Sequence, residues 1–546
     1  MQERQTASQP ELESSRFHRW AWWLLLVVVA FNVSVRWRLL DAPLQRDEGA
    51  HAYVGQLIRQ GIPPYVHSYG MRLPGTFAAY ALILSIFGET HRGIHLGLLV
   101  VNTATILLVF HLAKRLFNET AAVVAAASFA LLSISQGLQG VFTNSEHLMV
   151  LPIVGGLLLL LRATDQGGLS PVVWSGLLLG LAFLMKQHGI AFVAFGAIFL
   201  LSEMLQQDRS NSARNWVRQI GRLMTFLFSA ALPYLMTCLA LWSAGAFEMF
   251  WFWTVRYSMT YVSKISIADA LENLQRSLYS TDGTLLLWLL AGFALTALAW
   301  DQTLRRRRLF LLLLSLCSFV AICPGFYFRP YYYQLTTPVV ALLVGVAVHA
   351  ATTLLSKSGK HARAQVVAIG VFLVCLGVSI FQQRQYLFEM APIEVTRTTF
   401  GRQEPFPEAM MIAEYIERHS GPADRIVVIG SEPEIYFYTK RRAATPYLYI
   451  HELLQDHQFA RKMQQEFIAG VQNSRPKFLV FVGVPTSWGR QPAPHLLRQL
   501  GEIIRRQYNL VGTVNVLADQ LELRLPPHAT WPPHDKLYLG LFERKD

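Results

Sequence analysis

The sequence predicts a polytopic α-helical membrane protein that carries a C-terminal α/β domain. Of its 546 residues, 53% are hydrophobic and only 15% are charged, whereas about a quarter of the residues are charged in a typical soluble domain. Apolar runs with the length and spacing of membrane-spanning helices recur through the first two thirds of the chain. The last third is more polar, and short strand-like runs alternate there with helical patterns.

Eleven apolar runs are candidates for crossing the membrane. Because lipid offers no hydrogen-bond partner to a bare backbone, we expect each of them to be helical. The first run follows a polar segment, residues 1–19, and no small-residue cleavage site comes after it, which predicts an uncleaved anchor behind a cytoplasmic tail. The runs are 20–37, 93–113, 119–135, 148–162, 171–186, 189–204, 222–243, 284–300, 309–323, 335–352 and 365–381.

Loop charge predicts the orientation of these crossings. If the N-terminus is cytoplasmic, each loop on that side contains basic residues, as the positive-inside rule demands. The agreement requires that the short run 75–88 lies at the interface and does not cross. The protein is then expected in the inner (plasma) membrane, with residues 38–92 as one long extracytoplasmic loop. Residues 382–546 lie on the same side. The basic residues are Lys114, Arg115, Arg162, Arg209, Arg214, Arg218, Arg222, Arg305 to Arg308, Lys357, Lys360 and Arg363.

Composition also bounds the function. The net charge of +13 is explained by these loops, and nucleic-acid binding would require a basic patch on a soluble face. Every cysteine lies in a predicted span, which argues against a disulfide framework, and no Cys/His spacing typical of a metal site occurs. The cysteines are Cys238, Cys317, Cys323 and Cys375.

The C-terminal third has the pattern of a small α/β domain. "EAMMIAEYIERHS" has helical spacing, and "RIVVIGS", "RPKFLVFVG" and "LYLGLFER" are typical of buried strands. "HLLRQLGEIIRRQYNLVGTV" predicts a helix that leads into a further strand. "VVIGSEPE" lacks the G-x-G-x-x-G pattern of a dinucleotide-binding turn, so we do not predict cofactor binding there.

The candidate chemistry begins in the first outer loop. Asp47 and Glu48 have a simple structural interpretation, in which acidic residues favour the first turn of a helix. His51, Tyr53 and Arg72 lie in the same loop, and this cluster of polar residues weakens that interpretation. A carboxylate at this position acts as a general base if burial raises its pKa.

Other ionisable residues fall on the same predicted side. Glu146 either caps a helix or supplies a second carboxylate that binds an acceptor or, with Asp47, a divalent cation. Lys186 ends a span, where it either snorkels to the interface or has a binding role. Arg256 and Arg329 lie among aromatic residues, and arginine recognises phosphate through paired donors.

The run "RDEGAHAYVGQLIRQGIPPY…YGMRLPG…FGETHRGIHL" resembles the first outer loop of GT-C type glycosyltransferases. The resemblance is to bacterial relatives of protein O-mannosyltransferases and of the aminoarabinose transferases that modify lipid A. "GLAFLMKQHGIAF", "YFRPYYYQLTTPVVALLVG" and "VVIGSEPEIYFYTKRRAATPYLY" carry it further, so that the matches extend from about residue 20 to 485.

This resemblance implies an inverting transfer of a sugar from a polyprenyl-phosphate donor, at an extracytoplasmic active site within residues 20–381. Asp47 would deprotonate the acceptor, with Glu48 in support. Arg72 would hold the donor phosphate, joined by Lys186 and Arg256. The acceptor would be a lipid, a glycan or a protein. No cofactor is required, and the two carboxylates permit a divalent cation.

Two departures from the family pattern concern the end of this loop. The common "KPPG" is "RLPG" here, with Arg72 and Leu73, which keeps the charge but changes its geometry. The lipid A-modifying enzymes have a glutamate where this chain has Met71. A metal site that depends on that glutamate therefore does not carry over.

Two alternatives belong to other functional classes. A lipid or glycan transporter, or flippase, would place charged residues deep in the bilayer and often has internal repeats, whereas the charges here lie at span ends and no repeat is evident. A non-catalytic scaffold would explain the C-terminal domain but not the composition of the first outer loop.

Overall fold

A computed structural model describes residues 9–207, 213–262, 265–356, 360–489, 494–518, 521–529 and 536–545. Helices form the first two thirds of the chain, and all eleven predicted spans lie in helical segments. Arg209 and Lys357, which entered the charge argument, lie outside the described residues. The α-helices are Gln9–Arg38, Arg46–Arg59, Pro74–Phe87, His91–Leu116, Glu119–Ile134, Ser145–Gln166, Ser170–Met185, Ile190–Gln207, Ala213–Ser243, Phe247–Trp251, Ser258–Val262, Ile267–Leu278, Leu285–Trp300, Arg308–Ile322, Thr337–Leu355 and His361–Gln382.

Seven helices in the described part of the chain are long and apolar enough to cross a membrane, which confirms a polytopic α-helical membrane protein. Five further apolar helices are shorter; they include four predicted spans and Pro74–Phe87, the run expected at the interface. The number of crossings and the interfacial placement stay predictions. The seven are Arg19–Arg38, His91–Leu116, Ser145–Gln166, Gln187–Leu205, Trp216–Ser243, Pro330–Leu355 and His361–Gln382.

The spanning helices differ in how much of their surface faces other helices. Ser145–Gln166 and Pro330–Leu355 are mostly buried inside the protein, whereas Trp216–Ser243 and His361–Gln382 expose most of their apolar side chains. An exposed apolar surface of that extent marks a region that contacts lipid or another protein. Close packing depends on small residues: a Cβ atom on Gly180 would overlap the backbone of Ala230 on the neighbouring helix.

The C-terminal α/β domain contains one mixed sheet of six strands in the order β2-β1-β3-β6-β4-β5. β1 pairs in parallel with β2 and β3, and the remaining pairs are antiparallel. The strands predicted from the sequence are all present. Their bounds are Arg425–Ile429 (β1), Arg442–Ala443 (β2), Phe478–Gly483 (β3), Tyr508–Asn515 (β4), Leu523–Arg524 (β5) and Tyr538–Arg544 (β6). The helices of this region are Pro392–Phe400, Phe406–His419, Glu434–Thr439, Ile450–Leu454, Ala460–Ser474, Pro485–Trp488 and Pro494–Gln507.

The segment 38–92 and the C-terminal domain pack directly against each other. Helix Arg46–Arg59 approaches helix Glu434–Thr439 so closely that a Cβ atom on Gly49 would overlap the backbone of Glu434. The amide of Tyr69 donates a hydrogen bond of 2.7 Å to the carbonyl of Pro446. These contacts bring residues nearly 400 positions apart in the sequence to one place.

Candidate active site

A cavity of about 360 Å³ lies where the first loop (38–92), the segment 329–332 and the C-terminal domain meet. The first loop contributes Asp47, His51 and Arg72 to its wall, and the C-terminal domain contributes Tyr449 and Glu452. Polar groups from three distant parts of the chain therefore converge on one concave space, which is the usual form of a binding site.

The position of Asp47 is fixed by the start of its helix. The backbone amide of Asp47 donates to Oε1 of Gln45 at 2.7 Å, and the backbone amide of Gln45 donates to Oε2 of Glu48 at 3.1 Å. This reciprocal arrangement is a capping box. Asp47, His51 and Val54 then follow at helical spacing and line the same cavity.

Asp47 forms an ion pair with Arg72. Nη2 of Arg72 lies 2.8 Å from Oδ2 of Asp47, and the hydroxyl of Tyr449 lies 3.4 Å from Oδ1. Burial acts to raise the pKa of Asp47, but the neighbouring positive charges, that of Arg72 foremost, hold the pKa below its ordinary range. The expected route to a general base, a pKa raised by burial, is therefore wrong: the carboxylate is ionised because a cation offsets its burial.

His51 is a buried neutral imidazole beside this pair. Burial lowers the pKa of His51 to about 3. Neither ring nitrogen has a hydrogen-bond partner among the described residues, although the ring packs against Phe77 and Tyr80. The side chain contributes to the lining of the cavity, and both of its ring nitrogens are buried.

Glu48 and Tyr53 lie outside the lining of this cavity. Glu48 is fully buried and accepts hydrogen bonds from the backbone amide of Thr143 and from His95, at 2.5 and 3.1 Å. The hydroxyl of Tyr53 accepts a hydrogen bond of 2.9 Å from the backbone amide of Ala443 in β2. Both side chains hold the loop in place, and neither reaches the space beside Asp47.

Lys186 and Glu146 form a buried ion pair behind the cavity. Nζ of Lys186 also lies 4.3 Å from the ring centre of Tyr332, whose side chain lines the cavity. Glu146 thus pairs with a cation of the protein. The predicted divalent-cation site requires Glu146 to act together with Asp47, and the two carboxylates are not paired. No group of three or more His, Cys, Asp or Glu side chains suited to a metal ion occurs among the described residues.

The two predicted arginines are placed differently. Arg329 lines the cavity, and its charge acts on Asp47. Arg256 is exposed on the helical segment Phe252–Tyr257 and is absent from the cavity lining. Of the four cations assigned to the donor phosphate, Arg72 and Arg329 therefore face the cavity directly.

The C-terminal domain supplies groups that the sequence analysis did not predict. Arg46 forms ion pairs with Glu404 and Glu432, at 3.0 and 2.9 Å. Glu432 belongs to "VVIGSEPE", so this turn holds the first loop. Burial raises the pKa of Glu452 to about 8. The only indication in the sequence that these groups belong to the site was that their segments and the first loop resemble the same family.

Comparison with known proteins identifies the architecture. The family model described as dolichyl-phosphate-mannose-protein mannosyltransferase matches residues 72–236. Among curated proteins, none matches the sequence. ArnT from Cupriavidus metallidurans, in a crystal structure with undecaprenyl phosphate, is similar over 95% of this chain and 98% of its own, with 14% identity and a TM-score of 0.58.

An oligosaccharyltransferase from Archaeoglobus fulgidus, in its apo form, is also similar. The match covers 95% of this chain and 75% of that one, with 12% identity and a TM-score of 0.50. The chain has the GT-C glycosyltransferase fold. At these identities the likeness concerns the fold, and the roles of individual residues in this chain depend on its own geometry.

Proposed function

We propose that this GT-C chain is an inverting glycosyltransferase that moves a sugar from a polyprenyl-phosphate donor to an acceptor hydroxyl at the extracytoplasmic face. The observation that carries the proposal is the contact of Asp47 with Arg72 at 2.8 Å, in a cavity built at the outer loop. A carboxylate and a cation side by side suit a reaction that removes a proton from one partner and releases a phosphate from the other. The undecaprenyl phosphate in the similar ArnT structure supports a donor of this class.

Asp47 accepts the proton of the acceptor hydroxyl as the acceptor oxygen forms its bond to C1 of the sugar. The bond from C1 to the phosphate oxygen breaks on the opposite face, and its electron pair leaves with the polyprenyl phosphate. Arg72 and Arg329 offset the charge that develops on that leaving group. The attacking and departing oxygens lie on opposite sides of C1, which inverts the configuration.

The ion pair couples the two halves of the reaction. When a donor phosphate engages Arg72, the cation no longer acts on Asp47 alone, and the added negative charge raises the pKa of Asp47. A carboxylate with a higher pKa is a stronger base. Donor binding would therefore make Asp47 a better proton acceptor at the step that needs one.

The test compares the envelope glycans and lipids of a strain that lacks this chain with those of strains complemented by wild type, Asp47→Asn or Asp41→Asn. Asp41 is a matched control because it pairs with Arg92 at 3.1 Å outside the cavity. We expect one sugar to be missing from the deletion strain, restored by wild type and Asp41→Asn, and not by Asp47→Asn. Loss of a general base lowers the rate by about 10²–10⁴-fold.

Restoration of the sugar by an Asp47→Asn protein at normal abundance would overturn the role of Asp47. The proposed orientation has its own test, a reporter enzyme fused after residue 400. Activity of a periplasm-specific reporter supports an extracytoplasmic C-terminal domain, and activity of a cytoplasm-specific reporter contradicts it.

A further inference from the structure

A second cavity, of about 630 Å³, lies on the other side of helix Arg46–Arg59. Tyr53, Gln56 and Gln60 of this helix line the second cavity, whereas Asp47 and His51 line the first. The two sets lie on different faces of the helix, because each repeats at three- or four-residue intervals. The second cavity is thus separate from the proposed transfer site.

The C-terminal domain makes the rest of this cavity strongly basic. Arg425, Lys440, Arg441 and Arg442 are among its lining residues, and none of the described lining residues carries a carboxylate. Arg441 is buried and donates to the carbonyls of Ser420 and Thr439, so it is a structural group. Lys440 pairs with Glu417 at 2.8 Å.

Arg425 and Arg442 are different, because neither side chain has an ion pair or hydrogen bond with any described residue. They are register partners at the first positions of the parallel strands β1 and β2. Adjacent strands lie only about 4.8 Å apart, and like charges at paired positions destabilise a sheet. An anion that binds between the two guanidinium groups would offset that repulsion.

Neighbouring groups favour the same kind of ligand. Gln60 adds an uncharged polar side chain to the opposite wall, whereas the side-chain amide of Gln56 already donates to Glu89 and to the carbonyl of Phe437. His67 also lies within reach of both charges: burial first, and then Arg425 and Arg442, lower the pKa of His67. The local field is therefore positive, and planar guanidinium groups suit the oxygens of a phosphate.

We infer that this cavity is a second anion site, which binds a phosphate-bearing group between Arg425 and Arg442. The group belongs either to a soluble phosphorylated molecule or to the headgroup of a phosphorylated lipid. This site goes beyond the proposed transfer reaction, since it needs neither Asp47 nor Arg72.

The test measures binding of inorganic pyrophosphate to the full-length protein in uncharged detergent micelles by calorimetry. We expect saturable binding that weakens as salt is added, and at least a tenfold loss of affinity in the Arg425→Gln/Arg442→Gln double variant. Arg418→Gln is the matched control, because Arg418 is exposed and pairs with Glu414 on a helix of the same domain. Arg72→Gln should retain this binding, which separates the second site from the first.

A second arm adds phosphatidic acid to the micelles and measures how much lipid stays with the protein in gel filtration. Pyrophosphate binding alone assigns the site to a soluble ligand, and lipid retention lost in the double variant assigns it to a headgroup. Absence of both kinds of binding, or binding unchanged in a double variant with wild-type thermal stability, would overturn the inference. Arg425→Lys/Arg442→Lys, which keeps both charges, should bind better than the glutamine variant and so excludes a folding defect.

Discussion

Asp47, near the start of helix Arg46–Arg59, and Arg72, in the segment that follows this helix, meet at 2.8 Å. The two residues were predicted separately, one for the acceptor and one for the donor phosphate. Their contact means that each controls the charge that the other presents to a substrate. Substitution of one should therefore change the behaviour of the other.

Replacement of Arg72 should move the acid limb of the pH–rate profile. In wild type the nearby cations keep the pKa of Asp47 low, so the carboxylate stays ionised throughout the neutral range. Without Arg72 that pKa rises, and activity in Arg72→Gln should fall at a higher pH than in wild type. The donor KM should also increase by about tenfold or more, since a phosphate contact of about 1.4 kcal/mol or more is lost.

Arg72→Lys is the informative partner variant, because it keeps the charge and loses the paired donors. It should restore the acid limb and only part of the donor affinity. Arg92→Gln, which removes a cation paired with Asp41 in the same region, should change neither quantity. Identical pH profiles for Arg72→Gln and wild type would contradict the electrostatic role given to the pair.

The buried pair of Lys186 and Glu146 should act as a unit in stability. Lys186→Met leaves the Glu146 carboxylate buried without a partner, which costs about 3–5 kcal/mol. The double variant Lys186→Met/Glu146→Gln removes both charges and should recover most of that loss. Thermal unfolding in detergent, analysed as a double-mutant cycle, measures the coupling. A stable Lys186→Met protein that lacks only donor binding would instead make Lys186 a direct phosphate contact.

Docking of the C-terminal domain should be required for activity. Gly49→Ala introduces a Cβ atom that overlaps the backbone of Glu434, and overpacking of this kind costs about 1–3 kcal/mol. A displacement of the helix by about 1 Å moves Asp47 and lowers activity by about 10²-fold. Sugar transfer and limited proteolysis of the C-terminal domain measure the two effects.

Gly501→Ala is the control for this substitution, because no heavy atom lies within 4 Å of the Cβ position at Gly501. It should leave both activity and protease resistance at wild-type levels. Full activity in Gly49→Ala would show that the close contact is dispensable.

Glu452 should make stability depend on pH. Burial raises its pKa from 4.5 in the unfolded chain to about 8 in the fold, so the folded state holds a proton that the unfolded state releases. The stabilising contribution is complete below pH 4.5 and is lost as the pH rises towards 8. Unfolding temperatures of wild type should therefore fall more steeply between these values than those of Glu452→Gln, which carries no titratable proton. Parallel curves for the two proteins would contradict this.

The sequence predicted the helices well, because a spanning segment must satisfy its backbone hydrogen bonds internally and is visible as a local apolar run. The long strands of the C-terminal domain were predicted because each of them is also a local apolar run. β2 and β5 were missed, since strands of two residues leave no pattern. The strand order was not predictable, because it depends on contacts between distant segments.

The site residues were predicted less evenly, because their positions also depend on contacts between distant segments. Asp47, Arg72, His51 and Arg329 were named from the sequence, and all line the cavity. Glu48 satisfies backbone amides and Arg256 faces outward, although nothing in their sequence neighbourhoods separates them from the others. The residue type shows which chemistry is possible, but the direction of a side chain depends on how its helix packs.

The sequence by itself determined the class of the protein, a polytopic membrane chain whose first loop is rich in ionisable groups, because hydropathy and charge act locally. Only the tertiary structure decided which of those groups meet. It joined Asp47 to Arg72, Arg46 to Glu432, and Arg425 to Arg442 across β1 and β2. Such neighbours depend on the packing of separate segments of the chain, and the burial and charge interactions that shift pKa values exist only once that packing has formed.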